Sequence, residues 1–189
     1  MHRIFLVYRQ LMIYNCHMDI PRTMITFKSN GIRFTYRVGG VIIQNEHVLC
    51  QAVPDEGFFF LPGGRAELGE SASTSIVREM QEELGVLMNI ERLLYVVENF
   101  YTEPEDSSHE IGLYFLMTPP ADSYLNQSLE PFERVDEAGN HLRFEWLPLA
   151  QLETIPIYPP ILQKALQNIP SYTVHIEEHH SRFEEQGDS

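Results

Sequence analysis

The chain reads as an α/β domain in which a mixed β-sheet is covered by helices on both faces. Strand-like runs flank one strongly amphipathic helical segment, at residues 31–37, 39–43 and 47–52 before it and at 93–100, 111–117 and 142–146 after it. The helical segment, residues 71–84, lies between strands, and a second helix is expected near the end, at 159–167, with proline in its first turn. With helices so placed, a sheet buries both faces most simply under one helix each.

The elements follow in order. Residues 1–24 form an N-terminal extension in which the apolar runs 4–8 and 11–14 are broken by Arg9 and Gln10. Such runs are too short and interrupted for a signal-peptide core or a membrane span. Met12, Met18 and Met24 leave two readings open, a later natural start or an added strand or partner-binding arm. The main domain is placed at 25–178. Its first strands, 39–43 and 47–52, should pair around a turn at 44–46. The aromatic run 57–61 is too short for a helix and is ended by Pro62-Gly63-Gly64, so a buried strand leaving into a tight loop is expected. Residues 172–178 close the domain as a last strand, and 179–189 read as a loose polar tail.

The whole chain sets limits on function. Its 189 residues, 43% of them apolar, are enough for one domain with a sizeable core. A net charge of −14 argues against an extended nucleic-acid surface or an anionic membrane surface, both of which need basic patches. Cys16 and Cys50 are far apart and lack metal-ligand spacing, so they read as reduced thiols of a cytoplasmic protein.

Residues 64–86, GRAELGESASTSIVREMQEELGV, carry the chemistry. Gly64 is followed after five residues by Glu70, and after seven more by Arg78, Glu79, apolar Met80, then Glu82, Glu83, Gly85 and apolar Val86. Chance would produce these fixed positions in a chain of this length on the order of once in 10⁷. Ile76, Met80 and Leu84 fall at i+4 steps, and Gly85 supplies the stop expected after a helix. Glu79, Glu82 and Glu83 then share roughly a 100° arc beside the apolar stripe. Clustered carboxylates repel one another unless a cation neutralises them. An acidic stripe alone reads equally as a solvated helix face, but that reading calls for neither the Pro-Gly-Gly loop nor the glutamate eight residues before Arg78.

This pattern resembles the signature of the Nudix hydrolases. The resemblance runs from about residue 37 to 166 and implies a Nudix-type α/β/α sandwich. It also implies Mg²⁺-dependent hydrolysis, with Mn²⁺ as a substitute ion, of the pyrophosphate linkage in a nucleoside diphosphate derivative such as a small nucleotide or nucleotide sugar. Its metal ligands would be Glu79, Glu82 and Glu83 with a carbonyl of Gly63 or Gly64. Arg78 would pair with Glu82 or orient a neighbouring glutamate, and Glu70 would support the set. The general base is left open among the box glutamates and Glu110, which opens the strand 111–117 and reads alternatively as a solvated strand-end group. Glu103, Glu105 and Asp106 read as a solvated acidic loop.

Arg37 and Arg65 are candidates for drawing in an anionic substrate, or ordinary surface charges or structural pairs. Tyr101, 15 residues past Val86, is a candidate for stacking on a base, with core packing as its other reading. Ser75, where many family members carry alanine, should affect packing only. The strings that mark coenzyme A and NADH members are missing from the sequence, so no substrate subgroup follows. Other functions considered are a non-catalytic nucleotide-sensing module and an RNA 5′-end pyrophosphohydrolase. A homodimer is compatible with the family.

Overall fold

A computed structural model describes residues 22–54, 56–102, 107–136 and 139–181. The expectations for Cys16, for the apolar runs before residue 22, for Glu103, Glu105 and Asp106, and for residues 182–189 lie outside the described residues.

Strands β1 (Thr26–Ser29), β2 (Ile32–Gln44), β3 (His47–Ala52), β4 (Phe59–Phe60) and β5 (Gly63–Arg65) precede helix α1 (Ala72–Leu84). Strands β6 (Asn89–Thr102), β7 (Ser107–Thr118), β8 (Phe132–Val135), β9 (His141–Pro148) and β10 (Ile157–Tyr158) follow, then helix α2 (Ile161–Ala165) and β11 (Val174–Ser181). The main path of the sheet runs β10-β4-β3-β2-β7-β6-β11, with β1 and β5 also on β2 and with β9 joining β3 to β8. Pairing is parallel for β2 with β7, β6 with β11 and β4 with β10, and antiparallel for β2 with β3 and β6 with β7, so the sheet is mixed as expected.

Alternation along the strands separates two cores. Val38 and Ile42 of β2 with Phe115 and Met117 of β7 face α1, where Ile76, Met80 and Leu84 are fully buried. Val41 and Tyr114 face the opposite way, toward Leu152, Leu162 and Leu166 around α2. This is the helix-sheet-helix layering that the sequence predicts, and no described helix is long and apolar enough to cross a membrane.

Helix α1 starts where Ser71 Oγ accepts the Thr74 N–H at 3.1 Å and ends at Gly85, whose φ of 69° is the left-handed stop. The Tyr124 hydroxyl donates to the Leu84 carbonyl at 2.9 Å, meeting one of the carbonyls that a helix end leaves open.

Several elements differ from expectation. Residues 31–37 and 39–43 form one continuous strand, because Gly39 and Gly40 make close approach possible without ending it. A Cβ at Gly39 would lie 2.6 Å from the Tyr114 ring, and one at Gly40 would lie 3.1 Å from Met80 Sδ. The run 57–61 yields only the two-residue β4, whose phenylalanines are half-buried, while Leu61 is buried in the core and Phe59 packs against it. The second helix is shorter than 159–167. Its entry uses i+3 bonds, Leu162 N–H to Pro159 O and Gln163 N–H to Pro160 O, both at 3.0 Å. At the end of the domain, β11 continues past 178 to Ser181, since its parallel partner β6 runs on to Thr102. Before β1, Met24 forms a bridge with Glu67 and the Ile25 N–H donates to Ala66 O at 2.8 Å, so residues 22–25 lie along the loop that leads to α1.

Met80 packs beneath Gly40 and is fully buried. Met80→Ala is expected to cost about 2–5 kcal/mol, read as a lower urea midpoint with an unchanged slope.

Candidate active site

Gly63 and Gly64 place the backbone of β5 against both β2 and α1. Gly63 has φ 140°, and a Cβ there would meet the Val38 carbonyl oxygen at 2.2 Å. A Cβ on Gly64 would fall 2.5 Å from the Glu79 carboxylate. The glycine loop therefore lies directly against the acidic flank of α1, and the Gly63 N–H donates to Glu83 Oε2 at 2.9 Å.

Arg78 lies at the centre of the carboxylates. It donates from Nε and Nη2 to Glu70 at 3.2 Å, and from Nη1 to Glu79 at 2.8 Å and to Glu82 at 3.1 Å. Both sequence readings of Arg78 thus hold together, with pairing to Glu82 and orientation of its neighbours. Burial opposes charge on Arg78, but its hydrogen bonds to Glu70 and Glu79 outweigh this and hold the guanidinium charged. Ser75 is more than packing, because its fully buried hydroxyl donates to Glu70 Oε2 at 2.7 Å. Burial raises the Glu70 carboxyl, but the hydrogen bonds from Arg78 and Ser75 overcome this and leave it below its ordinary value.

Glu79 and Glu83 behave oppositely. Burial lifts the Glu79 carboxyl above its ordinary value, against the hydrogen bond from Arg78. Burial and then the charge of Glu79 push Glu83 up to about 8, in spite of the Gly63 N–H. A group held near that value loses its proton readily to a cation that needs it ionised.

Arg37 and Glu110 are brought together on neighbouring strands, with Arg37 Nε donating to Glu110 Oε2 at 3.2 Å. The guanidinium also lies over the Phe60 ring, 5.3 Å from its centroid. A cavity of about 210 Å³ opens here, lined by Arg37, Phe60, Asn99, Tyr101, Glu110 and Tyr158. Arg37 stands opposite Arg65 in the β2–β5 register, one position from the pair Val38–Gly64, so the cavity and the glycine loop share the same stretch of β2. Tyr101 lines the cavity instead of the core, whereas Arg65 is exposed and turned to Met24 Sδ, 3.7 Å away.

A family model described as NUDIX domain matches residues 33–168, the greater part of the chain. The chain belongs to the Nudix family. As a Nudix hydrolase it is an enzyme of the pyrophosphohydrolase class. It is similar to the uncharacterized Nudix hydrolase YvcI of Bacillus subtilis, 29% identical over 127 residues that cover 67% of this chain and 74% of the relative. It is also similar to the ADP-ribose pyrophosphatase of Methanocaldococcus jannaschii, 32% identical over 83 residues, 42% of this chain and 48% of the relative. Among solved structures, a MutT protein of Bacillus halodurans shares the fold, with a TM-score of 0.57 at 17% identity, covering 79% of this chain and 92% of that one.

Sequence reasoning missed Glu67, within the Nudix domain, and Arg22, which precedes it. Glu67 is buried among the box residues, its Oε1 accepting from Arg22 Nε at 2.6 Å and lying 3.7 Å from Arg78 Nη2. Arg22 also reaches Glu82 at 2.9 Å. The position of Glu67 in the loop between Gly64 and Glu70 was the available signal for it; Arg22 carried none. Among the described residues no three carboxylates already stand in a metal-holding arrangement, because guanidinium groups lie between them. The donor set nonetheless fits a hard divalent ion: oxygen ligands only, two of them with raised carboxyl values, beside a glycine loop that leaves room for an ion.

A carboxyl whose native value exceeds its unfolded one binds its proton more tightly when folded. Its contribution to stability is then fully present below about 4.5 and is lost as the pH rises through about 8. In the metal-free protein, stability measured by urea unfolding in EDTA should therefore fall between pH 5 and 8.5 through Glu83. Glu83→Gln should flatten that part of the slope, and an unchanged slope would refute the assignment.

Proposed function

We propose that the chain is an Mg²⁺-dependent hydrolase, with Mn²⁺ able to substitute, that cleaves the pyrophosphate linkage of a nucleoside diphosphate derivative. Nudix hydrolases generally use divalent cations. The observation that carries the reading is Glu79 and Glu83 set against the Gly63-Gly64 loop, with Glu82 joined to the row through Arg78 and an aromatic cavity on the neighbouring strands. The named relative that acts on ADP-ribose supports a nucleoside diphosphate linkage.

In this reading Glu79, Glu82 and Glu83 with the Gly64 backbone hold the ion, which supplies neutralisation of phosphate charge and a more acidic attacking water. Arg78, fixed by Glu70, keeps the row in register. Glu110 holds Arg37 toward the incoming phosphates, and a glutamate of the α1 row takes the proton of the attacking water. Phe60, Tyr101 and Tyr158 offer rings to a base, and Asn99 lines the same cavity, its buried Oδ1 without a hydrogen-bond partner among the described residues. A cytoplasmic setting accords with Cys50 as a free, buried thiol. A homodimer is compatible with this reading.

The experiment is a panel of nucleoside diphosphate derivatives incubated with and without Mg²⁺, followed by mononucleotide release. Metal-dependent cleavage of at least one is expected, and cleavage of none overturns the proposal. Glu82→Gln and Glu83→Gln should each lower kcat by about 100-fold or more with the fold retained. Tyr101→Ala should raise KM about 2- to 10-fold with kcat little changed.

A further inference from the structure

Arg22 is set apart from the other cations near the cluster. It comes from the segment before β1, which is pinned along the α1-leading loop by the Leu68 N–H to Thr23 O bond at 2.9 Å and by the Met24–Glu67 bridge. Its guanidinium spans Glu67 and Glu82, at 2.6 and 2.9 Å, so it takes up oxygens of a glutamate assigned to the ion. Arg78 is only 17% exposed and is tied to Glu70, Glu79 and Glu82, whereas Arg22 is 52% exposed and anchored on one side. Arg78 is the inner tie of the row, and Arg22, the more exposed of the two, is the cation whose place on Glu82 a bound ion can take.

We propose that Arg22 is a positioning residue that acts through Glu67 and Glu82 as a built-in counter-ion, which a divalent cation displaces on binding. The inference rests on the metal-site reading above. Without the ion, Glu67, Glu70, Glu79 and Glu82 are crowded, and Arg78 alone cannot meet all their oxygens. Arg22 relieves the remaining repulsion and keeps the cluster assembled. When the ion arrives it competes for Glu82, so Arg22 sets the cation concentration at which the site fills. A positive group held beside the site also opposes the approach of a second positive charge. Exposure makes this competition moderate rather than prohibitive.

The test is Mn²⁺ binding to the full chain, followed by calorimetry and by loss of the free-ion paramagnetic signal. Arg22→Ala should bind Mn²⁺ about tenfold more tightly than the native protein, and Arg22→Lys should stay near native. Arg143→Ala, which removes the same charge from a surface pair with Glu145, should leave the affinity unchanged. In EDTA, Arg22→Ala should melt below the native protein, and saturating Mn²⁺ should close that gap. A purely structural strap would lower Tm equally with and without the ion. Equal or weaker Mn²⁺ binding by Arg22→Ala, or the same shift in Arg143→Ala, overturns the inference and leaves the metal site standing. No Mn²⁺ binding by any of the proteins overturns the metal site itself.

Discussion

Mutual repulsion among the carboxylates on and before α1 is the constraint to which the surrounding structure answers. Glu67, Glu70, Glu79, Glu82 and Glu83 are drawn together by the loop and the helix, and burial makes the charges of Glu79 and Glu83 harder to sustain. The fold meets this with differing solutions for each group. Glu70 is held ionised by Arg78 and Ser75, Glu83 is left with a raised value under one backbone N–H, and Glu67 and Glu82 share Arg22. The cluster is therefore graded rather than uniform. Fixed charges lie at its base, and a group ready to lose a proton lies beside the glycines.

That arrangement needs a rigid support. Strand β2 provides it, pairing with β1, β3, β5 and β7. On one side its Val38 and Ile42 seat α1, and on the other Arg37 reaches the cavity and Glu110. Gly39 and Gly40 let Tyr114 and Met80 press against the backbone from opposite faces, so the two cores close on the same two residues. The chemical row and the cavity are thereby referenced to one strand.

Much of this was legible in the chain. The α1 segment announced itself because its period and the Gly85 stop are local properties that no distant contact has to supply. The acidic arc followed from helical geometry alone, and the mixed sheet with a helix on each face followed from element order. Within the run 57–61, Leu61 is core and Phe59 packs against it, but the place of Phe60 beside a cavity was hidden because aromatic content does not reveal which ring ends there. Ser75 was underestimated because a small hydroxyl in a helix gives no sign that a carboxylate from the preceding loop will fold onto it. The continuity of β2 was hidden because glycine in a strand looks like a break until the ring that needs the space is known.

The amino-acid sequence by itself determined the helix, its carboxylate row and the glycine loop ahead of it, because these depend on residues a few positions apart. Tertiary structure alone decided the partners of Arg22 and Arg37. Arg22 meets Glu82 across 60 positions and Arg37 meets Glu110 across 73, and at such separations pairing is chosen by sheet register and chain crossing. It also decided that Tyr101, Phe60 and Tyr158 surround one cavity, since β6, β4 and β10 converge there only once the sheet has formed. Local spacing fixes what chemistry a segment can offer; the long-range packing of the strands fixes what that chemistry faces.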